Sequence, residues 1–179
     1  MAADIKHELI AHRTTAQAIE RQGMGLMRAA IELSGDEQIA GIYRAHCEET
    51  EDHVRCLADR LAAAGGIGPA ADDPDTALAA LEIRFPSPAS PATLAAAANA
   101  FENLEIAAYH LLRTIPQRAG DQETVAVADR ILEQEEAAAE LVAGTFDRAL
   151  EVSIGERPRS PVSDGRRMAR AVTVDDPGR

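Results

Sequence analysis

Acidic side chains in this sequence fall at positions where a helix would normally place apolar ones. Several stretches carry apolar residues at helical spacing, and such a stripe normally faces the protein interior. On a helical wheel, Glu20, Glu105 and Glu135 lie within the stripes of three different segments, and Glu49 lies at the edge of a fourth stripe. Because a carboxylate buried without a partner costs several kcal/mol, four inward glutamates require compensation.

The segment that contains Glu49 also turns histidine inward. His46 and His53 lie inside its apolar stripe, and His53 follows Glu49 by four residues, so the two share one helix face. No arginine is expected near the centre of any stripe, which leaves protonation or metal ions as the compensation. Divalent iron and manganese take mixed carboxylate and imidazole ligands. We therefore predict a metal centre where these side chains meet.

Proline and glycine mark the elements that must position these side chains, because proline is poorly tolerated inside helices. No proline precedes Pro69, five fall between Pro69 and Pro91, and Pro116 follows alone before the C-terminal segment. Gly35 and Asp36 form a stop and a cap that divide the first proline-free stretch. The predicted helices span about residues 4–33, 37–64, 91–115 and 122–151.

Four long helices with one long Pro-rich connection are typical of an all-α four-helix bundle made of two helical hairpins joined by a crossover. A helical turn or two is expected within the connection, at residues 75–84. Residues 153–179 show no apolar periodicity and are predicted to form a disordered tail. The predicted bundle domain therefore spans residues 1–152.

The acids have similar spacing in the two predicted hairpins. Glu20 precedes Glu49 by 29 residues, and Glu105 precedes Glu135 by 30 residues. Each hairpin would therefore carry one inward acid per helix at nearly equal depth. Two such hairpins facing one another are a natural way to build a site for two metal ions.

Composition excludes several classes of protein. Aromatic residues make up only 3% of the chain and hydrophobic residues 46%, which favours closely packed helices over a β-sandwich or barrel. The net charge of −12 argues against binding to nucleic acid. No apolar run reaches the roughly 18 residues that a membrane span needs, and no signal-peptide core is visible. We expect a cytoplasmic protein that does not enter membranes.

Two strings of this sequence resemble the YciE/YciF group of ferritin-like proteins. HCEETEDHV, from His46 to Val54, is similar to the second-helix signature of the group, and FENLEIAAY, from Phe101 to Tyr109, to its third-helix signature. The acidic run ILEQE at 131–135 resembles the fourth helix, and Glu20 falls on the glutamate of the first helix. The resemblance covers about residues 5–146.

The resemblance implies a ferritin-like bundle, commonly a homodimer, with a carboxylate-rich metal site linked to stress responses. The metal ligands that it implies are Glu20, Glu49, His53, Glu105 and Glu135. Three more residues, His46, Glu102 and Tyr109, would fix the orientation of these ligands. Ala139 stands where the group has an acidic residue, and Asn103 where it has a histidine. Either two metal ions or one would fit the five ligands that remain.

The leading hypothesis is a non-haem di-iron or manganese carboxylate protein that acts on peroxide or oxygen. Glu49 and Glu135 would bridge the two ions, and an oxidoreductase of this kind would break down peroxide or oxidise iron. A second hypothesis is a helical stress or interaction protein whose metal site is vestigial. A third is an iron-handling protein without turnover. Metal content separates the first two hypotheses, and turnover with peroxide separates the first from the third.

Overall fold

The computed structural model describes residues 2–63 and 89–155, with side chains described from Ile5 onward. The described residues form helices and contain no strand. The helices are α1 (Ala2–Leu33), α2 (Glu37–Ala63), α3 (Pro91–Ala119), α4 (Gln122–Ala143) and α5 (Phe146–Ser153). The helical turns expected at 75–84, and almost all of the predicted tail, lie outside the described residues.

The long helices form two hairpins, which confirms the predicted all-α bundle. Helix α1 packs along α2, α3 packs along α4, and α1 against α3 joins the two hairpins. Helix α5 packs on α3, whereas α2 and α4 touch one another much less. No described helix contains a stretch that is both long and apolar enough to cross a membrane.

Short polar and glycine positions set the helix ends. Gly35 adopts a left-handed backbone with φ of 65°, and the Asp36 side chain then accepts the backbone N–H of Ile39 at 3.1 Å. Ser90 caps α3 in the same way, one residue before Pro91. Gly120, with φ of 74°, ends α3. These helix ends agree with the stop and capping residues predicted from the sequence.

Two boundaries differ from the predicted ones. Helix α3 continues for a few residues past Pro116, since a proline this close to the end of a helix removes only one hydrogen bond. The predicted helix at 122–151 is instead two helices that are separated at Gly144 and Thr145. There the Thr145 hydroxyl donates to the Val142 carbonyl at 2.7 Å and competes with the helical pattern.

The apolar core consists of two clusters. One contains Met27, Tyr43 and Val142, and the other contains Leu57 and Leu112. In each long helix the residues between the two clusters along the chain include buried polar side chains. The core therefore holds a polar layer between two apolar ends.

A buried arginine links three helices at one end of the bundle. Arg13 is 1% exposed, and its guanidinium donates to the Arg60 carbonyl at 3.1 Å and to the side chains of Asp121 and Thr124. Arg60 also donates to Asp121, at 3.0 Å. The helical wheel places no arginine near the centre of a stripe, yet the Arg13 side chain is buried. Its carboxylate partner is the cap of α4 and none of the inward glutamates.

At the other end, Arg148 of α5 forms a two-pronged ion pair with Asp36, with N–O distances of 2.7 and 2.6 Å. The hydrogen bond from Arg148 holds the pKa of the Asp36 carboxyl below its usual range. This pair ties α5 to the beginning of α2.

We expect Asp36→Asn to lower the free energy of unfolding by about 1 kcal/mol at pH 7, because asparagine keeps the helix cap but loses the ion pair. The folded-state pKa of Asp36 is depressed, so the pair stabilises fully above the unfolded-state pKa and is lost as pH falls through the folded-state value. Urea unfolding should therefore show a smaller difference from the wild type at pH 3 than at pH 7. An equal difference at both pH values, or an equal effect of the surface control Glu136→Gln, would contradict this assignment.

Candidate metal centre

Seven side chains form the polar layer between the two apolar clusters. Helix α1 supplies one of them, α2 two, α3 three and α4 one, and none is more than 4% exposed. They are Glu20, His46, His53, Glu102, Glu105, Tyr109 and Glu135. Each lies on the buried face of its helix because its position continues the spacing of the apolar stripe.

One part of the polar layer is a group of three ligand-type side chains. His53 Nδ1 lies 2.8 Å from Glu135 Oε1 and 3.4 Å from Glu20 Oε1. The other ring nitrogen, Nε2, faces Gln134 Oε1 at 3.2 Å, and the Tyr109 hydroxyl donates to Glu20. The ligand atoms of Glu20, His53 and Glu135 all lie within 4.8 Å of one another, close enough to hold one metal ion.

A second group with the same property consists of His46, Glu102, Glu105 and Glu135. His46 Nε2 lies 2.9 Å from Glu102 Oε2 and 3.6 Å from Glu135 Oε2. Glu135 thus belongs to both groups, with Oε1 turned toward His53 and Oε2 toward His46. A carboxylate in that position is suited to bridge two cations.

Many atoms of the polar layer make no hydrogen bond of acceptable geometry, although some of them lie at ion-pair distance from one another. Both carboxylate oxygens of Glu102, Glu105 and Glu135 are buried without a hydrogen-bond partner of acceptable geometry, as is Nδ1 of both histidines. Buried polar atoms are normally paired, because an unpaired one loses its hydration without replacement. Carboxylates and imidazoles that converge in this way fit divalent iron or manganese.

The electrostatics of the layer reflect this crowding. Burial raises the pKa of Glu20, Glu105 and Glu135, and for Glu105 repulsion from the neighbouring carboxylates raises it further. Burial lowers the pKa of His53, but the Glu135 and Glu20 carboxylates outweigh it and raise that pKa to about 10. In the same way Glu102 raises the pKa of His46 to about 9. Without a metal ion, both imidazole rings are therefore expected in the doubly protonated, positively charged form at neutral pH.

A glycine in α1 makes room for one of these carboxylates. A Cβ at Gly23 would lie 2.8 Å from Glu105 Oε1 and 2.8 Å from Phe101 Cε1. Because real Cβ atoms do not approach so closely, any larger residue at this position would push the Glu105 side chain away. At Gly25, two residues further along α1, a Cβ would meet nothing within 4 Å.

The structure brings together four of the five ligands that the sequence suggested: Glu20, His53, Glu105 and Glu135. Glu49 is not with them. Its side chain is 48% exposed, and Thr50 takes the inward position beside it, with its hydroxyl bonded to the His46 carbonyl. Glu49 lies at the edge of the α2 stripe, so its side chain reaches the surface rather than the axis.

His46 and Glu102, expected behind the ligands, lie among the ligand-type groups instead. One signal in the sequence points to Glu102: it precedes Glu105 by three residues, and residues three apart share a helix face. A second signal separates Thr50 from Glu49. The interval from Glu20 to Thr50 equals the 30 residues from Glu105 to Glu135, so Thr50 lies at the matched depth.

The two departures from the YciE/YciF pattern lie outside the polar layer. Asn103 is exposed and bonds the Asn99 carbonyl, and Ala139 is half-buried with its own carbonyl bonded by Asn99. The α4 residue that faces inward one turn after Glu135 is Ala138, which is 3% exposed.

The family described as a domain of unknown function, DUF892, matches residues 14–151, a range that includes the whole polar layer. The chain belongs to the DUF892 family. No curated protein matches this DUF892 chain. Its fold is similar to that of the E. coli stress protein YciF, with 19% identity, a TM-score of 0.66 and coverage of 86% of this chain and 98% of that one. This likeness agrees with the predicted resemblance to the YciE/YciF group.

Two further solved structures show that the DUF892 chain has a ferritin-like fold. A dodecameric thioferritin from Bacteroides fragilis has 18% identity and a TM-score of 0.70, over 84% of this chain and 90% of that one. A ferritin-like, diiron-carboxylate protein from Bacillus anthracis has 13% identity and a TM-score of 0.65, over 79% of this chain and 97% of that one.

The contact at Gly23 generates a prediction with an internal control. We expect Gly25→Ala to raise the free energy of unfolding by about 0.5–1 kcal/mol, because alanine restricts the unfolded chain at a helical position with free space. Gly23→Ala should lower it by about 1–3 kcal/mol through overpacking, and should also reduce metal binding by displacing Glu105. Urea unfolding and metal analysis of both variants test this. Equal gains in stability from the two substitutions would show that the close approach is unimportant.

Proposed function

We propose that this protein is a ferritin-like metalloprotein that holds two iron or manganese ions in the polar layer and acts on peroxide or oxygen. The observation that carries the proposal is the pair of buried ligand groups that meet at Glu135, whose two oxygens face different histidines. The fold that this chain shares with a protein described as a diiron-carboxylate protein supports iron in particular.

The two ions would have unequal ligand sets. The first would be held by Glu20, His53 and Glu135, and the second by His46, Glu102, Glu105 and Glu135. Glu49, which the sequence suggested as a bridge, is replaced in this role by Glu135 alone. Because the first ion has only three protein ligands, it would keep more coordination positions open to a small molecule.

The residues around the ligands fix their orientation. The Tyr109 hydroxyl donates a hydrogen bond to Glu20, and the Gln134 amide oxygen accepts one from the Nε2–H of His53, which leaves Nδ1 facing Glu135. Ions that bind would displace the proton that each histidine holds toward the carboxylates. Bound iron or manganese would supply the redox reactivity toward peroxide or oxygen.

We also propose that the protein self-associates, with the homodimer as its simplest form. The thioferritin that shares this fold is dodecameric. Large apolar side chains at the end of α4 and on α5 are exposed here, among them Leu141, Leu150 and Ile154. A role in stress responses and a cytoplasmic location stay predictions from the sequence.

Metal stoichiometry tests the proposed function. Protein purified without chelator and reconstituted anaerobically with Fe²⁺ or Mn²⁺ should hold about two ions per chain by mass spectrometry. Glu135→Ala should lose both ions because it removes the shared ligand, and Glu20→Ala should lose about one. The surface variant Glu136→Gln should retain both. A wild type without metal above background would favour the interaction protein, and bound metal without peroxide turnover would favour iron handling.

A second prediction concerns the sign of a stability change. In the metal-free protein, Glu105→Gln should raise the free energy of unfolding by about 1–3 kcal/mol, because it removes a fully buried carboxyl group whose ionised form is disfavoured by desolvation and by the neighbouring carboxylates. In the loaded protein the same substitution should lower the melting temperature, since a ligand is lost. Thermal unfolding of wild type and variant, once with EDTA and once with excess Mn²⁺, gives the sign of the change in melting temperature in each condition. A change of the same sign in both conditions would argue against Glu105 as a ligand.

A further inference from the structure

An open groove of about 440 Å³ lies between α2 and α4, where the bundle does not close tightly. Its lining is mostly small or apolar and includes Ile42, Ala45, Ala137 and Ala138. His46 also lines the groove, and it is at the same time a member of the polar layer. The groove therefore leads from the surface to a proposed metal ligand.

The two ring nitrogens of His46 face different sides. Nε2 is turned into the polar layer, 2.9 Å from Glu102. Nδ1 is buried without a hydrogen-bond partner and lies 3.7 Å from Glu49 Oε2, an atom of a second residue that lines the groove. A side chain that is 96% buried thus places a nitrogen that makes no hydrogen bond within 3.7 Å of a carboxylate that lines the groove.

The outer part of the groove is acidic. Glu49 on α2 is 48% exposed, and Glu133 on α4, which also lines the groove, is exposed. With a chain net charge of −12, these carboxylates lie in a field that attracts cations. Two exposed acids, with one buried imidazole nitrogen behind them, are ligand types that divalent iron and manganese accept.

Two other places beside the layer are closely packed. Between α1 and α3, Gly23 lies so close to Phe101 and Glu105 that there is no room for a Cβ. Tyr109 covers Glu20 through its hydrogen bond. On the groove side, by contrast, Ala138 presents only a methyl group one turn from Glu135, and this small side chain is part of the groove lining.

We propose that the groove is the entrance for divalent cations, and that Glu49 together with His46 Nδ1 forms a capture site, at which an arriving ion displaces the Nδ1 proton to solvent before it passes into the polar layer. The proposal rests on the proposed function. A site with one exposed carboxylate and one imidazole nitrogen has too few ligands to retain an ion, so occupancy there would be transient. Glu49 thereby acts on metal outside the buried ligand set.

The test is the rate of metal loading, measured apart from the amount of metal bound. Anaerobic stopped-flow mixing of the full-length apoprotein with Co²⁺ follows the visible absorption of the bound ion. Glu49→Gln should slow loading about tenfold at low salt, while the final stoichiometry stays at the wild-type value. The difference should shrink at high salt, because screening weakens the attraction. Glu48→Gln, an exposed acid on the same helix outside the groove, is the charge-matched control.

Ala138→Leu should also slow loading about tenfold or more without lowering the final amount of metal, because it narrows the passage. Ala107→Leu, at an exposed position of α3, is its control, and circular dichroism checks the folding of both. Wild-type rates in Glu49→Gln and Ala138→Leu would overturn the entrance. A lower final stoichiometry in Glu49→Gln would instead make Glu49 a resident ligand and overturn the capture role. Failure of the wild type to bind Co²⁺ at all would be the failure of the proposed function itself.

Discussion

Four carboxylates that are almost completely buried in one layer are the constraint on which the rest of this structure depends. Two histidines lie among them, and Arg13, the buried arginine, is bonded elsewhere, so the described side chains do not neutralise all four. Desolvation and mutual repulsion make such a layer unfavourable without a cation. Burial in the two apolar clusters on either side must offset that free energy, and under the proposed function bound metal ions would contribute as well.

Ion pairs at the two ends of the bundle hold the helices together, whereas the buried carboxylates in the middle repel one another. Arg13 and Arg60 join on Asp121 at one end, and Arg148 holds Asp36 at the other. Both arrangements use an aspartate that caps a helix, so each ion pair also sets where α4 or α2 begins. With the ends held by ion pairs and the clusters beside them by apolar packing, α2 and α4 need not pack tightly, and the groove lies between the first half of α2 and the second half of α4.

Helix positions were largely predictable because glycine, proline and capping residues act locally. The bundle followed from the Pro-rich connection, and the break at Gly144 was missed because one glycine and one threonine in a long apolar pattern rarely interrupt it. The site was less predictable, since a helical wheel gives the direction of Cα–Cβ but not the reach of a long side chain. The Arg13 guanidinium extends to Asp121, and the Glu49 carboxylate at the edge of its stripe turns outward. Neither position could be predicted from the direction of the Cα–Cβ bond alone.

The two hairpins differ in the residues that they place at matched depth, and this difference affects both the ligand-type side chains and the groove. Thr50 stands at the depth of Glu135 but commits its hydroxyl to the His46 carbonyl, so α2 contributes no second bridging carboxylate. Ala138, the inward residue one turn after Glu135, contributes no ligand on α4. Glu102 and His46 supply ligand atoms that these positions lack, and the small side chain of Ala138 lets the groove reach His46. The same small residue of α4 therefore leaves the layer without a further ligand atom and forms part of the groove lining.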